Sequence, residues 1–279
     1  MKIVKTLLEL RSARATFTGS LGLVPTMGYL HRGHLSLVQS ARAENEYVAA
    51  SIFVNPAQFE SVDDLDDYPR DLERDLDLLD THNVDLVWAP DRSEMYPHGY
   101  QTYVTVNQLT SGLEGGRRPG HMRGVTTIVS KLLIAFRPDR AYFGQKDAQQ
   151  VCVVRRLVAD LGFPVEVVTC PTVRESDGLA LSSRNARLSV DQRQASTVLF
   201  RALSAASVAF AEGQRDGDKL CGLMSDVVAT EPLADARYIS ITEVETLQDL
   251  RQLPEQVLAS LAVCIGQVVL IDNMVLGET

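Results

Sequence analysis

The sequence predicts a mainly parallel α/β domain followed by a smaller α+β domain. Three observations support this. The 279 residues exceed one ordinary domain, and either half is long enough to bury its own core. Through the first 170 or so residues, apolar runs alternate with amphipathic segments, the pattern of a parallel sheet with right-handed crossovers. Beyond about residue 172, two helical stretches precede three clustered strand-like runs.

Taken in order, Leu21–Pro25 is a short apolar run ending in a glycine-bearing turn. A helical pattern follows, with Leu35, Val38 and Ala41 on one face. VAASIFV (Val48–Val54) is continuously apolar and bounded by Asn55-Pro56, so it reads as a strand buried on both faces. Pro69–Leu79 carries Leu72, Leu76 and Leu79 at helical spacing, and Val84–Trp88 is another strand. A helix through Val125, Ile128, Val129, Leu132 and Leu133 comes next, then a strand at Ala141–Phe143. A helix at Asp147–Asp160 and a strand at Val165–Val168 complete the alternation. The second domain holds helices near Asp191–Ala211 and Asp218–Thr230, then strands at Tyr238–Ile241, Ala259–Ile265 and Gln267–Ile271. The boundary falls at 170–176, giving domains 1–172 and 173–279 with the Arg174–Arg187 loop at the junction.

The 45% hydrophobic and 23% charged fractions exclude a largely disordered chain. The opening MKIVKTLLELRSAR has no secretory-type apolar block, and Val257–Ile271 is too short to span a bilayer. A cytoplasmic protein with no membrane partner is the expectation. Cys152, Cys170, Cys221 and Cys264 are spaced by 18, 51 and 43 residues, which suggests no zinc framework or redox pair, so they read as buried reduced thiols. The net charge of −9 argues against nucleic acid as a partner. That charge is segregated. Glu60–Asp80 holds ten acidic residues against Arg70 and Arg74, and reads as a solvated helix face. Between Glu114 and Arg156, nine basic residues face three acidic ones, a local +6 suited to holding small anions.

In an open parallel sheet, ligands bind beyond the carboxyl ends of the strands. Three polar loops follow strands here: PTMGYLHRGH (Pro25–His34), NPAQF (Asn55–Phe59) and GQKD (Gly144–Asp147). In the first, Gly28 permits close backbone approach, and a helix starting near Gly33 aims its free N–H groups at the loop. His31 and His34, three apart on the first turn, either face one phosphate or are simply solvated. Asn55 and Gln58 are either amides for a small polar acid or parts of a turn. Lys146 could neutralise phosphate charge, and Asp147 could contact ribose or Mg²⁺ or only cap the helix. GGRRPGHMRG (Gly115–Gly124) reads as an anion-binding loop, a solvated hairpin or a subunit contact. SSRN (Ser182–Asn185) supplies two hydroxyls and a guanidinium near the junction.

Together PTMGYLHRGH, SIFVNPAQF, RRPGHMRGV, FGQKDAQQ, DGLALSSRN and the terminal LIDN resemble, in order and spacing over nearly the whole chain, the pantothenate synthetase (pantoate–β-alanine ligase) family. HxGH alone marks only the wider nucleotidyltransferase superfamily, whereas NPxQF with LSSRN is far more specific. Gln145 stands where Glu is common, and Met122 where Phe is common. The resemblance implies a Rossmann-like N-terminal domain and a C-terminal domain that closes as a lid. It implies ATP, pantoate and β-alanine as substrates, Mg²⁺ carried with ATP with no protein ligand assigned to it, a pantoyl adenylate intermediate, and a homodimer. By the motif match, Met27, Gly28, Leu30, His31, His34, Gly144, Lys146, Asp147, Val173, Leu181, Ser182, Ser183 and Arg184 would form the ATP site. His34, His31, Lys146 and Arg184 would be catalytic, with His34 the proton donor and phosphate contact. Gln58, Gln150 and Asn55 would hold pantoate or β-alanine. Two other readings share the HxGH signal: a nucleotidyltransferase acting on a phosphorylated cofactor precursor, which leaves Asn55 and Gln58 unexplained, and a catalytically inactive nucleotide-binding regulator.

Overall fold

The structure, a computed structural model, describes residues 1–277. It opens with β1 (Lys2–Val4), α1 (Leu7–Arg14), β2 (Leu21–Thr26), α2 (Arg32–Glu44) and β3 (Tyr47–Ile52). There follow α3 (Val62–Asp66), α4 (Leu72–Thr81), β4 (Leu86–Trp88), α5 (Arg92–Met95), α6 (Leu113–Arg117), α7 (His121–Phe136), β5 (Arg140–Gly144), α8 (Ala148–Leu161) and β6 (Glu166–Cys170). The remainder is α9 (Val190–Ala195), α10 (Val198–Ala211), α11 (Gly217–Ala229), β7 (Ala234–Thr242), β8 (Val257–Ile265) and β9 (Val268–Leu276). The chain divides into two compact units. One comprises Met1–Gly144 with Gln149–Pro171, and the other comprises Gln145–Ala148 with 172–279. Most of the short GQKD segment thus belongs to the second unit, not the first.

In the first unit, six parallel strands run in the order β1-β4-β3-β2-β5-β6. The period-2 side-chain alternation of each strand feeds two cores, one on each face. Leu21, Leu23, Ala49, Leu86, Trp88, Ala141 and Phe143 join Leu10 of α1, Val125, Val129 and Leu132 of α7, and Val154 and Leu157 of α8. Val24, Val48, Ala50, Val87 and Tyr142 point the other way, onto Leu37, Val38 and Ala41 of α2 and Leu79 of α4. Both faces of the central strands are covered, so β2 and β3 are largely apolar, as the sequence implied, while the edge strands β1 and β6 expose Lys2, Ile3 and Glu166.

In the second unit, α10 and α11 supply Leu199, Leu203, Phe210, Leu220 and Met224 to a core shared with the antiparallel sheet β7-β8-β9. β8 is buried at every position, as befits a central strand.

Several expectations change. The stretch read as one helix at 191–211 is two, α9 and α10. Between them Ser196 Oγ donates to the Arg193 carbonyl (2.7 Å) and Thr197 Oγ1 to the Gln194 carbonyl (2.9 Å), local bonds that compete with the helical ladder. GGRRPGHMRG is neither loop nor hairpin throughout. Gly120, at φ +87°, caps α7, so His121–Gly124 form its first turn. The three-residue β1 is too short to show in the sequence pattern. Among the described residues, no helix is long and apolar enough to cross a membrane. None of the four cysteines is in a disulfide, but only Cys170 and Cys264 are buried while Cys152 and Cys221 are half-buried. Burial pushes the Cys170 and Cys221 thiols up, which lowers their reactivity.

Leu203 is fully buried where α10 meets the small sheet. Leu203→Ala should cost about 2–5 kcal/mol of stability, read as a lower urea midpoint at unchanged slope.

Candidate active site

β3, β2 and β5 are neighbours, so their carboxyl ends lie side by side at one sheet edge. The loop after β2 turns at Gly28 and Tyr29, which hold φ values of +83° and +52°. A Cβ at Gly28 would lie 2.9 Å from an Asp75 carboxylate oxygen and 3.1 Å from Ile52, so glycine is required twice over. The Thr26 hydroxyl starts the turn by donating to the Ser51 carbonyl (2.8 Å) and accepting from Gly28 N (3.2 Å).

Asp75 of α4 holds the loop. Its two oxygens accept the N–H groups of Tyr29 (2.6 Å) and Leu30 (2.7 Å), and its neighbour Arg74 donates to the Leu30 carbonyl (3.0 Å). Asp75 is only 1% exposed, a correction to the solvated reading of the acid block. Burial raises its carboxyl pKa, and the two amides offset part of that. Leu30 is also buried and spends its N–H and carbonyl on this clamp, so it anchors the loop and does not stand as an outward ligand group.

His31 is not on the first turn of α2. It is the N-cap, with extended backbone, and its Nδ1 accepts from Gly33 N (3.1 Å) while His31 N donates to His34 Nδ1 (3.3 Å). The two histidines therefore form a reciprocal capping box, with ring centroids 4.1 Å apart. With Nδ1 of each ring used as an acceptor, the neutral tautomers carry their proton on Nε2. Both rings thus become Nε2 donors at a helix N-terminus, where an anion is favoured.

Beside this loop, Asn55 is buried and its amide is fully used. Nδ2 donates to Gln58 Oε1 (2.9 Å) and the Gly124 carbonyl (3.1 Å), while Oδ1 accepts from Ala57 N (3.3 Å) and the Tyr96 hydroxyl (2.7 Å). Four bonds exhaust a carboxamide, so Asn55 is a positioning residue and not a substrate contact as expected. Gln58 is buried, not merely exposed on a turn, and its Nε2 lies 3.0 Å from Met27 Sδ, which brings the first two loops together. The turn sits so close to α7 that a Cβ at Gly124 would come within 2.3 Å of the Ala57 carbonyl. Gln150 is half-buried. Its neighbour Gln149 is buried and structural, bonding the Leu109 and Gly112 carbonyls and Gly115 N.

β5 ends at Gly144, and the chain there passes into the second unit. Within that unit, Asn273 of β9 holds the GQKD segment. Its Nδ2 donates to the Gln145 and Lys146 carbonyls (both 2.9 Å), and its Oδ1 accepts from Gln145 Nε2 (3.1 Å). The adjacent Asp272, 1% exposed at its side chain, makes a bidentate pair with Arg174 at 2.6 and 3.0 Å. Arg174 opens a tight return in which Leu181 N donates to the Val173 carbonyl (3.0 Å), so Val173 and Leu181 adjoin. An open cleft of about 280 Å³ then gathers Lys146, Ser182, Arg184 and Asn185. Ser182 caps the turn Ser183–Arg187 by accepting from Arg184 N (3.2 Å), and Asp147 stands half-exposed with Lys146 Nζ 4.0 Å away. The sequence shows LIDN as a motif but gives Asp272 and Asn273 no task, because a β-strand carries no local sign of what it holds.

Part of the expected +6 segment is taken up by ion pairs within the protein. Arg118, 13% exposed, pairs with Glu60 (2.7 Å), Asp64 (3.9 Å) and Glu114 (4.0 Å), tying the basic stretch to the acid block. Arg140 pairs with Glu166, and Arg156 with Asp160.

The fold defines an α/β protein with a six-stranded parallel sheet, at whose carboxyl edge the histidine and amide loops lie, and a smaller unit with an antiparallel sheet. A family model for pantoate-beta-alanine ligase matches residues 2–275. A pantothenate synthetase of Roseiflexus sp. (strain RS-1) is 56% identical over 276 residues, covering 99% of both chains. The crystal structure of pantothenate synthetase from Thermus thermophilus has a TM-score of 0.94 at 48% identity, over 98% of this chain and 99% of that one. A pantoate-beta-alanine ligase from Francisella tularensis, complexed with beta-gamma ATP and beta-alanine, has a TM-score of 0.82 at 33% identity, over 100% and 98%. The chain belongs to the pantoate-beta-alanine ligase family, and as a member it is a ligase.

Asp75→Asn turns an NH₂ group toward one of the two loop amides. Leaving that amide unpaired is worth about 1–3 kcal/mol, and we expect roughly a ten- to hundredfold loss of kcat/KM with the fold retained. Because the native Asp75 carboxyl sits above its unfolded value of 3.8, the native state holds that proton longer. Stability from this group therefore falls as pH rises past 3.8, then levels once Asp75 is ionised. Denaturant melts should show the wild-type-minus-variant difference declining over that window; a rise would reverse the assignment.

Proposed function

We propose that this protein condenses pantoate with β-alanine at the expense of ATP, through an enzyme-bound pantoyl adenylate. The observation that carries the reading is the His31–His34 capping box, two Nε2 donors held at a helix N-terminus one loop away from the Gln58 amide. In the first step a pantoate carboxylate oxygen attacks the α-phosphorus, the bond to the bridging oxygen breaks, and pyrophosphate leaves with the electron pair. In the second step the β-alanine amine attacks the acyl carbon, AMP leaves, and the amine loses a proton to give the amide.

Little covalent work falls to the protein, which acts by positioning and by stabilising charge. His34, with His31, donates Nε2–H to the phosphate oxygens on which charge grows. Lys146, Ser182, Ser183 and Arg184 take up the charge of the departing pyrophosphate, as the cleft lined by Lys146, Ser182 and Arg184 permits. Gly28 and Met27 leave the loop backbone open to ATP, while Gly144, Asp147, Val173 and Leu181 complete the nucleotide contacts. Gln58 and Gln150 hold pantoate. Among the described residues no group of three or more carboxylates, histidines or cysteines could bind a metal ion. That donor set fits Mg²⁺ arriving on the triphosphate with Asp147 as its one carboxylate, since Mg²⁺ ordinarily uses one or two carboxylates plus phosphates. Bound there it would neutralise phosphate charge. Closure of the C-terminal domain, 173–279, as a lid would protect the mixed anhydride from water. The working form we propose is a cytoplasmic homodimer acting on small molecules and not on nucleic acid.

Incubation with ATP, Mg²⁺, pantoate and β-alanine should release AMP only when both acids are present; AMP release independent of either contradicts the reading. His34→Ala should lower adenylate formation by on the order of 10²–10³-fold. Supplied with preformed pantoyl adenylate, the same variant should be impaired only mildly, and equal losses in both half-reactions would mean that His34 is not specific to the first.

A further inference from the structure

Tyr96 follows α5, well away in sequence from the histidine, amide and lysine loops. Its ring packs against Phe53 (centroids 6.2 Å apart) and edge-on to Tyr100 (5.0 Å), with Lys131 Nζ 5.6 Å from its face. Its hydroxyl meets Asn55 Oδ1 at 2.7 Å. Burial pushes the phenol well above its ordinary pKa, so it stays a protonated donor at every working pH.

The direction of every bond beyond it is fixed by backbone groups whose roles cannot be reversed. Ala57 N–H can only donate, so the Asn55 atom facing it is the oxygen. The Gly124 carbonyl can only accept, so the Asn55 atom facing it is the nitrogen. That nitrogen also faces Gln58, whose facing atom must therefore be Oε1. The Gln58 NH₂ group is thereby turned the other way, toward the end of β2 and Met27. A free glutamine can present either end of its amide, and this one cannot.

We propose that Tyr96 is a positioning residue for substrate binding: by donating to Asn55 Oδ1 it steadies the backbone-set orientation in which the Gln58 carboxamide is an obligate donor, so the site selects an acid that offers an acceptor oxygen there. The inference rests on the reading of Gln58 as a pantoate contact. The Tyr96 hydroxyl supplies a side-chain donor to Asn55 from a segment 41 residues further along the chain. Without it, Asn55 Oδ1 keeps the long 3.3 Å bond to Ala57 N, and the amide pair loses its outer stop.

The test is a double-mutant cycle of Tyr96→Phe and Gln58→Ala, read as KM for pantoate, KM for ATP and kcat, with thermal melts of each protein. Tyr96→Phe removes one oxygen and should melt close to wild type. We expect it to raise KM for pantoate about tenfold and to leave KM for ATP within twofold. In the Gln58→Ala background it should add little, because its effect passes through Gln58. Additive effects in the cycle, or an equal rise in KM for ATP, would overturn the inference. Should Tyr96→Phe melt far below wild type, Asn55→Ser decides in its place. It cannot donate to both Gln58 and Gly124, and it should give the same selective pantoate effect, again vanishing over Gln58→Ala. If instead Gln58→Ala leaves KM for pantoate unchanged, the pantoate reading of Gln58 is itself wrong and Tyr96 falls with it.

Discussion

A single buried carboxylate organises the candidate site. Asp75 accepts two consecutive amides of the loop after β2, and with Arg74 on the next carbonyl it holds that loop from beneath. The loop in turn delivers His31 to the N-cap of α2, and the N-cap fixes His34. A buried charge is costly unless it is fully hydrogen-bonded, and here the two amides supply that compensation. Remove the carboxylate and the left-handed Gly28–Tyr29 turn loses the partner that holds it. The second amide site is braced in a comparable way, by Asn55 and by the close approach of α7 at Gly124.

The distribution of charge follows the same logic. A chain of net charge −9 that handles anions looks contradictory, and a basic segment is the obvious resolution from sequence. Only part of that segment is available for it. Arg118 is consumed by Glu60, Asp64 and Glu114, and so acts as a clasp between a basic turn and the acid block. The candidates for holding an anion are a helix N-terminus with two imidazoles and, in the second unit, Arg184 and, from that same basic segment, Lys146 around a small cleft.

Much of the architecture is legible in the sequence because both faces of the parallel sheet are covered. Continuous apolar runs such as 48–54 admit few other readings, and the loops that follow them mark the edge. What stays hidden depends on contacts between residues distant in sequence. Asp75 looks like any of ten acids in its block, and only the fold turns it inward. Asn55 looks like a ligand group until its four bonds are counted. Asp272 sits in an ordinary strand and is 98 residues from the Arg174 it pairs with, and Asn273 is 127 or more from the carbonyls it holds. His31 caps α2 where the spacing places it inside the first turn, since a capping box made by two histidines carries no familiar signature.

The central chemical claim is that the pantoate carboxylate, held by Gln58 near the paired histidines, attacks the α-phosphorus. The most direct measurement follows the carboxylate oxygen. Pantoate labelled with ¹⁸O in its carboxylate is turned over with ATP and β-alanine, and the AMP is analysed by mass spectrometry. One ¹⁸O atom in the phosphate of each AMP is expected, because the oxygen that attacks stays on phosphorus when the amine displaces AMP. ADP in place of AMP, with ¹⁸O in inorganic phosphate, would mean attack at the γ-phosphorus and contradict an adenylate at this site.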